Sequence, residues 1–394
     1  MAERAIVTTC AHNCGGRSLL RCTVRDGRLV RVEPAEHPDP AYTGACVRCL
    51  ALPGWVYAKE RIETPMMRDG PRGEGTFRPV SWDEALDAIA TRLRETIARD
   101  GAERVAFTRT SGSSPQANYM RLQSALGATQ LFGSVDMAVH MGLNATFGFK
   151  GLFNQAANEW TDRPNARTVL VWGHNPAETS MTVFRWLLDA QQQGTRLVVI
   201  DPRYSTTARH ADWWVAPRAG TDTALALGML HVLVDERLVD EAFALAHSCG
   251  PLLVDEGSGR YVREADVAPG GAADTYMVWD AAQGAPVRDG AATHPVLEGA
   301  FDADGRPMKT AYRLLTERLD AWSPERAAAV TGIAAEDVRD LARAYATETP
   351  STIAFGYGVD RYVHADALTR AGATLAVLTG NLGRPGASVG VASH

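Results

Sequence analysis

The stretch from Thr168 to Arg203 decides the fold class, and it reads TVLVWGHNPAETSMTVFRWLLDAQQQGTRLVVIDPR. Residues 168–172 and 196–200 are short apolar runs, typical of strands that are buried on both faces of a sheet. The residues between them predict a helix that ends near Gln193. Buried strands that alternate with helices predict a mostly parallel sheet with helical crossovers, and therefore an α/β fold.

The same alternation of strands and helices continues toward the C-terminus. Further strands are predicted at 213–216 and 352–356, and further helices after Asp222 and at 336–347 and 365–378. Residues 256–307 are rich in Gly, Ala and Asp and show weak periodicity. We therefore expect them to form a surface excursion from the α/β core.

The N-terminal part has a different pattern. Alternating apolar residues on either side of Asp26-Gly27 predict a β-hairpin over 18–32. Ser81 and Glu84 form a capping box at the start of a predicted helix over 81–99, and Gly101 follows its end.

Length, charge and hydropathy limit the classes of protein to be considered. A chain of 394 residues predicts two or three domains. A formal net charge of −6 argues against a nucleic-acid-binding protein, which would normally be basic. No apolar run reaches the roughly 18 residues of a spanning helix, so no direct membrane span is expected. The start of the chain resembles neither a signal peptide nor a twin-arginine leader, which predicts a cytoplasmic protein, or a periplasmic one if a leader has been removed.

Cysteine usage points to a metal site. Five of the six cysteines lie within the first 49 residues, whereas a disulfide framework would spread them along the chain. Cys10-x3-Cys14 and Cys46-x2-Cys49 pair near-adjacent ligands with a distant segment, the spacing of an iron–sulfur site. A zinc site and two unrelated pairs of buried thiols are the alternatives.

Polar residues and glycines follow the predicted strands, where ligands bind in parallel sheets. After the first strand, Gly173 permits close backbone approach, and free N–H groups of the helix beyond it can hold a phosphate. Asp201 is placed to accept ribose hydroxyls after the next strand, and Asp222 is placed similarly after the third. In Gly356-Tyr-Gly358-x-x-Arg361, the glycines allow close approach and the guanidinium can clamp a phosphate or a pterin carbonyl. Ordinary turn residues with a solvated arginine are the alternative for all of these positions.

Taken together, these segments resemble the dimethyl sulfoxide reductase family of bis-molybdopterin guanine dinucleotide enzymes. The resemblance covers essentially the whole chain, and its motifs are Cys10-x3-Cys14-Gly-Gly-Arg17-Ser18, Ala45-Cys46-Val-Arg48-Cys49, Arg72-Gly-Glu-Gly-x-Phe77, Ser81-Trp-Asp-Glu84, Gly173-x-Asn-Pro-x-Glu-Thr179, Ile200-Asp-Pro-Arg-Tyr204, Arg218-x-Gly-Thr-Asp222 and Leu378-Thr-Gly-Asn-x-Gly383. Each motif alone is modest, but the ordered set is specific.

The resemblance implies which residues hold the cofactors. One guanine dinucleotide arm would be bound by Gly173, Asn175, Glu178, Asp201, Arg203 and Asp222, and the other pterin by Gly356, Gly358 and Arg361. Arg48 resembles the basic residue that lies between the cluster and the pterin in the family, where a cation favours electron transfer. The cofactor carries the chemistry, and the protein positions and tunes it.

Two departures from the family pattern leave alternatives open. The third cysteine of the family's 4Fe-4S motif falls at Ser18, so Cys10, Cys14 and Cys46 are predicted ligands and the fourth is Ser18, Cys22 or Cys49. At the position of the family's protein ligand to molybdenum, the resemblance places Asp136, with Ser134 as the alternative; Asp136 would otherwise cap the next helix. His140, one turn later, is a candidate proton donor or a buried histidine with a satisfied hydrogen bond.

The resemblance also implies a domain organisation. It comprises an iron–sulfur β domain over 1–65, an α/β domain made of 66–160 and 330–394, and a Rossmann-like dinucleotide domain over 161–329, arranged around a central cofactor crevice. The C-terminal β-barrel domain of the family is expected to be missing from this sequence.

The predicted activity is oxygen-atom transfer to or from a small-molecule substrate. The expected partners are a separate iron–sulfur protein for electron transfer and a membrane anchor. A non-redox hydratase or transhydroxylase, an inactive fragment and a zinc-containing scaffold protein are the alternatives.

Overall fold

The fold is described from a computed structural model, which describes residues 2–10, 18–108, 116–131, 137–148 and 158–391. The chain divides into two compact units, Met1–Val135 and Asp136–His394. Among the described residues, no helix combines the length and the apolar character needed to cross a lipid bilayer.

The first unit is built from short sheets and helices. Its strands are β1 (Glu3–Thr9), β2 (Leu19–Arg25), β3 (Arg28–Pro34), β4 (Met66–Arg68), β5 (Phe77–Pro79), β6 (Ala106–Thr108) and β7 (Thr129–Leu131). Its helices are α1 (Val47–Leu50), α2 (Leu52–Val56), α3 (Trp82–Asp100) and α4 (Gln116–Leu126), with 3-10 turns at Pro40–Tyr42 and Ala102–Arg104. Strands β1, β2 and β3 form an antiparallel sheet, β4 pairs with β5, and β6 runs parallel to β7.

The hairpin predicted for this unit is confirmed, and the predicted capping box is confirmed for Ser81 but not for Glu84, whose carboxylate is ion-paired with Arg78 at 2.7 Å. Strands β2 and β3 form the expected hairpin, and Asp26 and Gly27 at its turn have positive φ angles. The side chain of Ser81 accepts a hydrogen bond from the backbone N–H of Glu84 at 3.1 Å, which caps α3 as the sequence indicates.

The second unit contains the remaining elements. Its strands are β8 (Thr168–Trp172), β9 (Arg196–Ile200), β10 (Trp213–Val215), β11 (Leu253–Asp255), β12 (Met277–Asp280), β13 (Ala285–Arg288), β14 (Ala300–Ala303), β15 (Arg306–Thr310), β16 (Ser351–Phe355) and β17 (Ser388–Val391). Its helices are α5 (Ala138–Phe147), α6 (Pro176–Thr179), α7 (Met181–Gln192), α8 (Asp222–Asp235), α9 (Glu241–His247), α10 (Glu264–Val267), α11 (Ala311–Leu319), α12 (Pro324–Thr331), α13 (Ala335–Thr347) and α14 (Ala365–Leu378). The 3-10 helices are Trp160–Asn165, Ala208–His210 and Asp320–Trp322.

A five-stranded parallel sheet organises the second unit. Its strand order is β10-β9-β8-β16-β17. Every residue of β8, β16 and β17 is buried, as expected for parallel strands covered on both faces. The predicted α/β fold class with a mostly parallel sheet is therefore confirmed.

The sheet crosses the predicted domain boundary between residues 329 and 330. Strand β16 pairs with β8 along its whole length, from Ser351 opposite Thr168 to Phe355 opposite Trp172. The C-terminal segment 351–391 thus completes the sheet formed by residues 168–215, because β8 is buried on both faces and its backbone groups need strand partners on both sides. The strand pattern alone does not specify which strands are neighbours.

Residues 253–310 contain more secondary structure than we expected for a surface excursion. They form a three-stranded sheet of β11, β15 and β14 and a two-stranded sheet of β12 and β13. Leu253, Val262, Met277 and Met308 make a separate buried cluster there. The expectation was wrong because these strands are only three to five residues long, too short to show a clear period.

Candidate functional site

Four strand ends lie side by side at the carboxyl edge of the parallel sheet. Trp172, at the end of β8, is the register partner of both Ile200 and Phe355, and Ile200 is the partner of Val215. The loops that follow β8, β9, β10 and β16 therefore leave the sheet at the same edge. Ligands bind at this position in open parallel sheets.

The glycines at this edge allow the loops to pack against one another. Gly173 has a φ angle of +59°, and a Cβ atom there would lie 2.5 Å from Cγ1 of Val359. Cβ atoms at Gly356 and Gly358 would lie 2.4 and 2.5 Å from the carbonyl oxygen of Gly173. Contact between the loops after β8 and β16 thus accounts for these glycines, and their approach to a ligand stays a prediction.

Asn175 fixes the turn after β8 to the loop after β9. Its Oδ1 accepts hydrogen bonds from the hydroxyl of Thr207 at 2.7 Å and from its backbone N–H at 3.2 Å. Oγ1 of Thr207 in turn accepts from the N–H of Ala177 at 3.1 Å, and the N–H of Glu178 donates to the carbonyl of Asn175. The N–H groups of Ala177 and Glu178 are thus hydrogen-bonded within the protein, and Pro176 has no N–H group. The expectation of free N–H groups at this turn is therefore wrong at these residues. Sequence reasoning missed Thr207, although the hydroxyl run Ser205-Thr-Thr207 was a signal.

Glu178 and Arg203 connect the same two loops at the surface. Oε2 of Glu178 lies 3.2 Å from a guanidinium nitrogen of Arg203, and its Oε1 accepts from the hydroxyl of Thr206. Hydrogen bonds from Thr206, Asn175 and Arg203 lower the pKa of Glu178. Both predicted cofactor residues are therefore brought together and ion-paired, a surface contact of modest strength.

Asp201 and Asp222 place two partly desolvated carboxylates at this edge. Asp222 is buried, and its Oδ1 accepts from the indole N–H of Trp172 at 2.8 Å. Burial raises the pKa of both carboxyls, and the charge of Asp201 also raises the pKa of Asp222. Neighbouring acceptors of this kind suit the hydroxyl and amino donors of a nucleoside, so the residues present fit the nucleotide part of the expected cofactor.

The loops after β10 and β16 also meet. A Cβ atom at Gly220 would lie 3.1 Å from the ring of Tyr362, and the hydroxyl of Thr223 donates to the carbonyl of His364 at 3.0 Å. Arg361 lies exposed in the second of these loops, beside Tyr362. All predicted nucleotide and pterin residues of the second unit thus lie in the connected loops at one sheet edge.

His140 is buried at the start of α5, close to the loop after β16. Its Nε2 lies 3.2 Å from the hydroxyl of Tyr357, and the carboxylate of Asp360 accepts from the N–H of Val139 at 2.6 Å. The proposed metal ligands Asp136 and Ser134 lie outside the described residues. Tyr357 was missed as a partner because sequence reasoning read Gly356-Tyr-Gly358 for its glycines alone.

Arg163 and His174 form a buried basic pair that sequence reasoning also missed. Arg163 is 1% exposed, donates to the hydroxyl of Ser388 at 3.2 Å and lies over the ring of Trp160. Burial lowers its pKa to about 10. Nε of Arg163 and Nδ1 of His174 have no hydrogen-bond partner among the described residues.

We predict that His174 makes the stability of the second unit depend on pH. Burial, followed by the charge of Arg163, lowers the pKa of His174 from 6.5 to about 4. Between these values the unfolded chain takes up a proton that the folded chain does not, so stability falls as the pH falls from 6.5 to 4. The expected loss is roughly 3 kcal/mol. Urea unfolding at pH 7 and pH 4.5 should show a smaller difference for His174→Asn than for the unmodified protein.

The control for this measurement is His294→Asn, which removes an exposed histidine from the same unit. It should keep the pH dependence of the unmodified protein. Equal pH dependence in His174→Asn and the unmodified protein would contradict the assignment.

Three predicted thiol ligands meet in the first unit. Sγ of Cys49 lies 3.2 Å from Sγ of Cys10 and 3.8 Å from Sγ of Cys46. Burial raises the pKa of the Cys49 thiol to about 12, with a contribution from its hydrogen bond to Cys10. Arg48 lies exposed on α1 between Cys46 and Cys49. Cys14 lies outside the described residues.

The remaining candidates for the cluster are Ser18 and Cys22, both on or next to β2. Ser18 is buried and its carbonyl accepts from the N–H of Cys10 at 3.0 Å, whereas Cys22 lies further along β2. Within the described part of the chain, no three His, Cys, Asp or Glu side chains are arranged to hold a single metal ion. The converging thiols nevertheless supply the donor type that an iron–sulfur cluster requires.

The model of the molybdopterin oxidoreductase family matches residues 61–394 of this chain. The chain belongs to the molybdopterin oxidoreductase family. The match covers the whole parallel sheet and the loops at its carboxyl edge. Named relatives of the chain also confirm its resemblance to dimethyl sulfoxide reductases.

Two such relatives are a putative catalytic chain of dimethyl sulfoxide reductase from Halobacterium salinarum, 30% identical, and the dimethyl sulfoxide reductase of Escherichia coli, 32% identical. Each alignment covers 98% of this chain, but only 48% and 45% of the relative. The chain thus spans about half the length of the curated relatives it matches. Among solved structures, the acetylene hydratase of Pelobacter acetylenicus matches with a TM-score of 0.61 at 22% identity, covering 98% of this chain and 44% of that protein, which shows a shared fold.

Proposed function

We propose that this molybdopterin oxidoreductase transfers an oxygen atom to or from a small substrate, as in dimethyl sulfoxide reduction, and exchanges electrons through an N-terminal 4Fe-4S cluster. The cofactor would be the bis-molybdopterin guanine dinucleotide form. The observation that carries this proposal is the meeting of the loops after β8, β9, β10 and β16 at one sheet edge, where Asp201 and Asp222 both follow strands of the sheet.

The chain's own residues would bind and orient the nucleotide. Asp201 and Asp222 accept hydrogen bonds from ribose hydroxyls and guanine N–H groups, and the guanidinium groups of Arg203 and Arg361 attract phosphates. The hydrogen bonds between Asn175 and Thr207 hold the two loops in place before the ligand binds, which reduces the entropy lost on binding.

The end of the cofactor that reacts with the substrate would lie near the start of α5. When bound, the molybdenum centre supplies two-electron oxygen-atom chemistry, with Asp136, or alternatively Ser134, as its protein ligand. The hydrogen-bonded pair of His140 and Tyr357 can hold or release a proton at Nε2 or at the phenol oxygen. Arg48, beside the cluster cysteines, would favour electron transfer.

Relatives support a redox reaction that involves several subunits. Besides the dimethyl sulfoxide reductases, they include the alpha chain of perchlorate reductase from Dechloromonas aromatica, 30% identical over 94% of this chain and 46% of that protein. The names of the Halobacterium salinarum and Dechloromonas aromatica proteins denote a catalytic subunit and an alpha subunit. Such names support a separate iron–sulfur protein for electron transfer and a membrane anchor as partners here. A cytoplasmic location, or a periplasmic one after removal of a leader, stays a prediction.

A non-redox hydratase or transhydroxylase is the second candidate, and Ser18 favours it. An impaired cluster motif would matter less to a reaction without net electron transfer.

Metal analysis and turnover test the proposal. We expect the native-length protein to contain molybdenum, iron and guanine nucleotide and to oxidise a reduced viologen when a sulfoxide or an N-oxide is added. A dithionite-reducible cluster signal in electron paramagnetic resonance is also expected. Hydration activity without viologen oxidation would replace the proposal by the second candidate, and zinc without iron or molybdenum would exclude both.

A further inference from the structure

We propose that the ring of Tyr204 is a stacking surface for the guanine base of the cofactor, and that Trp214 holds this ring in position. The base belongs to the guanine dinucleotide, so the role of Tyr204 rests on the proposed function. A planar base offers both a face and a hydrogen-bonding edge. Tyr204 would cover the face, in addition to the edge contacts of Asp201 and Asp222.

Tyr204 is an exposed ring in a loop that is otherwise well anchored. It lies four residues after the end of β9, and 60% of it is accessible. The backbone is held on both sides of it. The N–H of Arg203 donates to Oδ1 of Asp201 at 2.8 Å, and the hydroxyl of Thr207 donates to Oδ1 of Asn175 at 2.7 Å. The loop thus presents an apolar ring to solvent in a fixed place, which favours contact with a ligand.

Trp214 fixes the orientation of the Tyr204 ring. The two rings meet edge to face, with their centroids 4.9 Å apart and their planes at 65°. Trp214 is a residue of β10, paired in register with Val199 of β9, and its own ring is 38% exposed. The ring of Tyr204 is therefore supported by the sheet as well as by its own loop. A ring that is held before the ligand arrives loses little conformational entropy on binding.

The same tryptophan connects the ring to the carboxylate that would bind the base. The indole N–H of Trp214 donates to the backbone carbonyl of Asp201 at 2.8 Å. Asp201 and Tyr204 are thus attached to one side chain, and both can act on one ligand. Guanine has two adjacent N–H donors on one edge, and adenine lacks this pair. We therefore expect stacking to strengthen the binding of any base, whereas the carboxylates select guanine.

A purely local packing role of the Tyr204–Trp214 pair is the competing explanation. Tyr261 and Tyr276 form a comparable pair in the same unit, outside the parallel sheet. Their rings also meet edge to face, 5.6 Å apart, and Tyr261 is 37% exposed. Tyr261→Ala is therefore a matched control, because it removes an exposed ring from an aromatic pair that is not at the proposed nucleotide site.

The test measures nucleotide binding to the native-length protein, produced in cells that cannot make molybdopterin. Calorimetry with GMP, AMP and ribose 5-phosphate compares the unmodified protein with Tyr204→Ala, Tyr204→Phe and Tyr261→Ala. Tyr204→Ala should bind GMP and AMP about 10-fold more weakly, since stacking tolerates every base. The ratio of the two affinities and the binding of ribose 5-phosphate should not change. Tyr204→Phe, which keeps the ring, and Tyr261→Ala should behave as the unmodified protein.

The positioning role of Trp214 is tested by a double-mutant cycle. Trp214→Ala should weaken GMP binding less than Tyr204→Ala does, because the tyrosine ring is still present but less firmly held. In the Tyr204→Ala background the same substitution should have no further effect. A further loss in the double variant would show that Trp214 does not act through Tyr204.

Unchanged nucleotide affinities in Tyr204→Ala, or an equal loss in Tyr204→Phe, would overturn the stacking role. An equally weakened binding of ribose 5-phosphate would overturn it as well, because that result indicates a displaced loop. In these cases guanine and molybdenum in the unmodified protein, purified from cells that make the cofactor, would leave the proposed function standing. Absence of guanine from that protein would overturn both the stacking role and the proposed form of the cofactor.

Discussion

If the cofactor is the proposed guanine dinucleotide form, replacing Asp222 by alanine is expected to lower its retention, and with it turnover, by at least roughly 100-fold. Such a loss corresponds to about 3 kcal/mol, the range for removing one partner of a charged buried hydrogen bond. Asp222 begins α8 at the edge where the strand-end loops meet, and it already holds the indole of Trp172 at 2.8 Å. The measurement is the molybdenum and guanine content of the purified variant, followed by turnover.

Two further variants separate binding from stability in this experiment. Asp222→Asn keeps an acceptor for Trp172 but removes the negative charge, so it should fold normally and still bind the cofactor weakly. Asp235→Ala removes an exposed aspartate at the other end of the same helix. This control should retain both cofactor and turnover, because an acidic residue at a helix C-terminus is unfavourable. Normal molybdenum content and turnover in Asp222→Ala would refute the role of this carboxylate.

The substitution Gly142→Ala is expected to destabilise the second unit by about 3 kcal/mol or more. A Cβ atom at Gly142 would lie 2.0 Å from Oγ1 of Thr369 and 2.1 Å from the carbonyl oxygen of Asp366. Neither α5 nor α14 can give way locally, because one clashing atom belongs to the backbone of the first turn of α14. The midpoint of urea unfolding should fall accordingly.

Met141→Ala is the matched control for Gly142→Ala. Met141 is the preceding residue of α5 and lies on its exposed side, 46% accessible. Its truncation should change stability by less than about 1 kcal/mol. If the two variants unfolded at the same urea concentration, close packing of α5 on α14 would not be the reason for a glycine at residue 142.

The local features of the fold could be predicted because local sequence contains their cause. The N-cap hydrogen bond at Ser81, the turn at Asp26-Gly27 and the consecutive apolar residues of β8 and β9 each act within a few residues. The short strands of residues 253–310 could not be predicted, because their stability comes from a small buried cluster assembled by distant residues.

The candidate site was predicted in its residues but not in its connections. Asp201, Asp222, Gly173 and Gly358 were all expected at strand ends, and the register of the sheet brings those ends together. The hydrogen bond from the N–H of Ala177 to the hydroxyl oxygen of Thr207 was not expected. Side-chain hydrogen bonds between loops depend on how the neighbouring strands are ordered. The buried positions of Arg163 and His174 depend on long-range packing in the same way.

The sequence by itself determined the family and the α/β class, and it predicted the residues of the two proposed cofactor sites, because each of these follows from short motifs in a fixed order. Only the tertiary structure decided that the strand at Ser351–Phe355 joins the sheet of Thr168–Trp172, and that Cys49 rather than Cys22 lies beside Cys10. Strand order and thiol proximity depend on contacts between residues far apart in the chain, whose free energy is shared among many side chains. No short window of sequence contains that information.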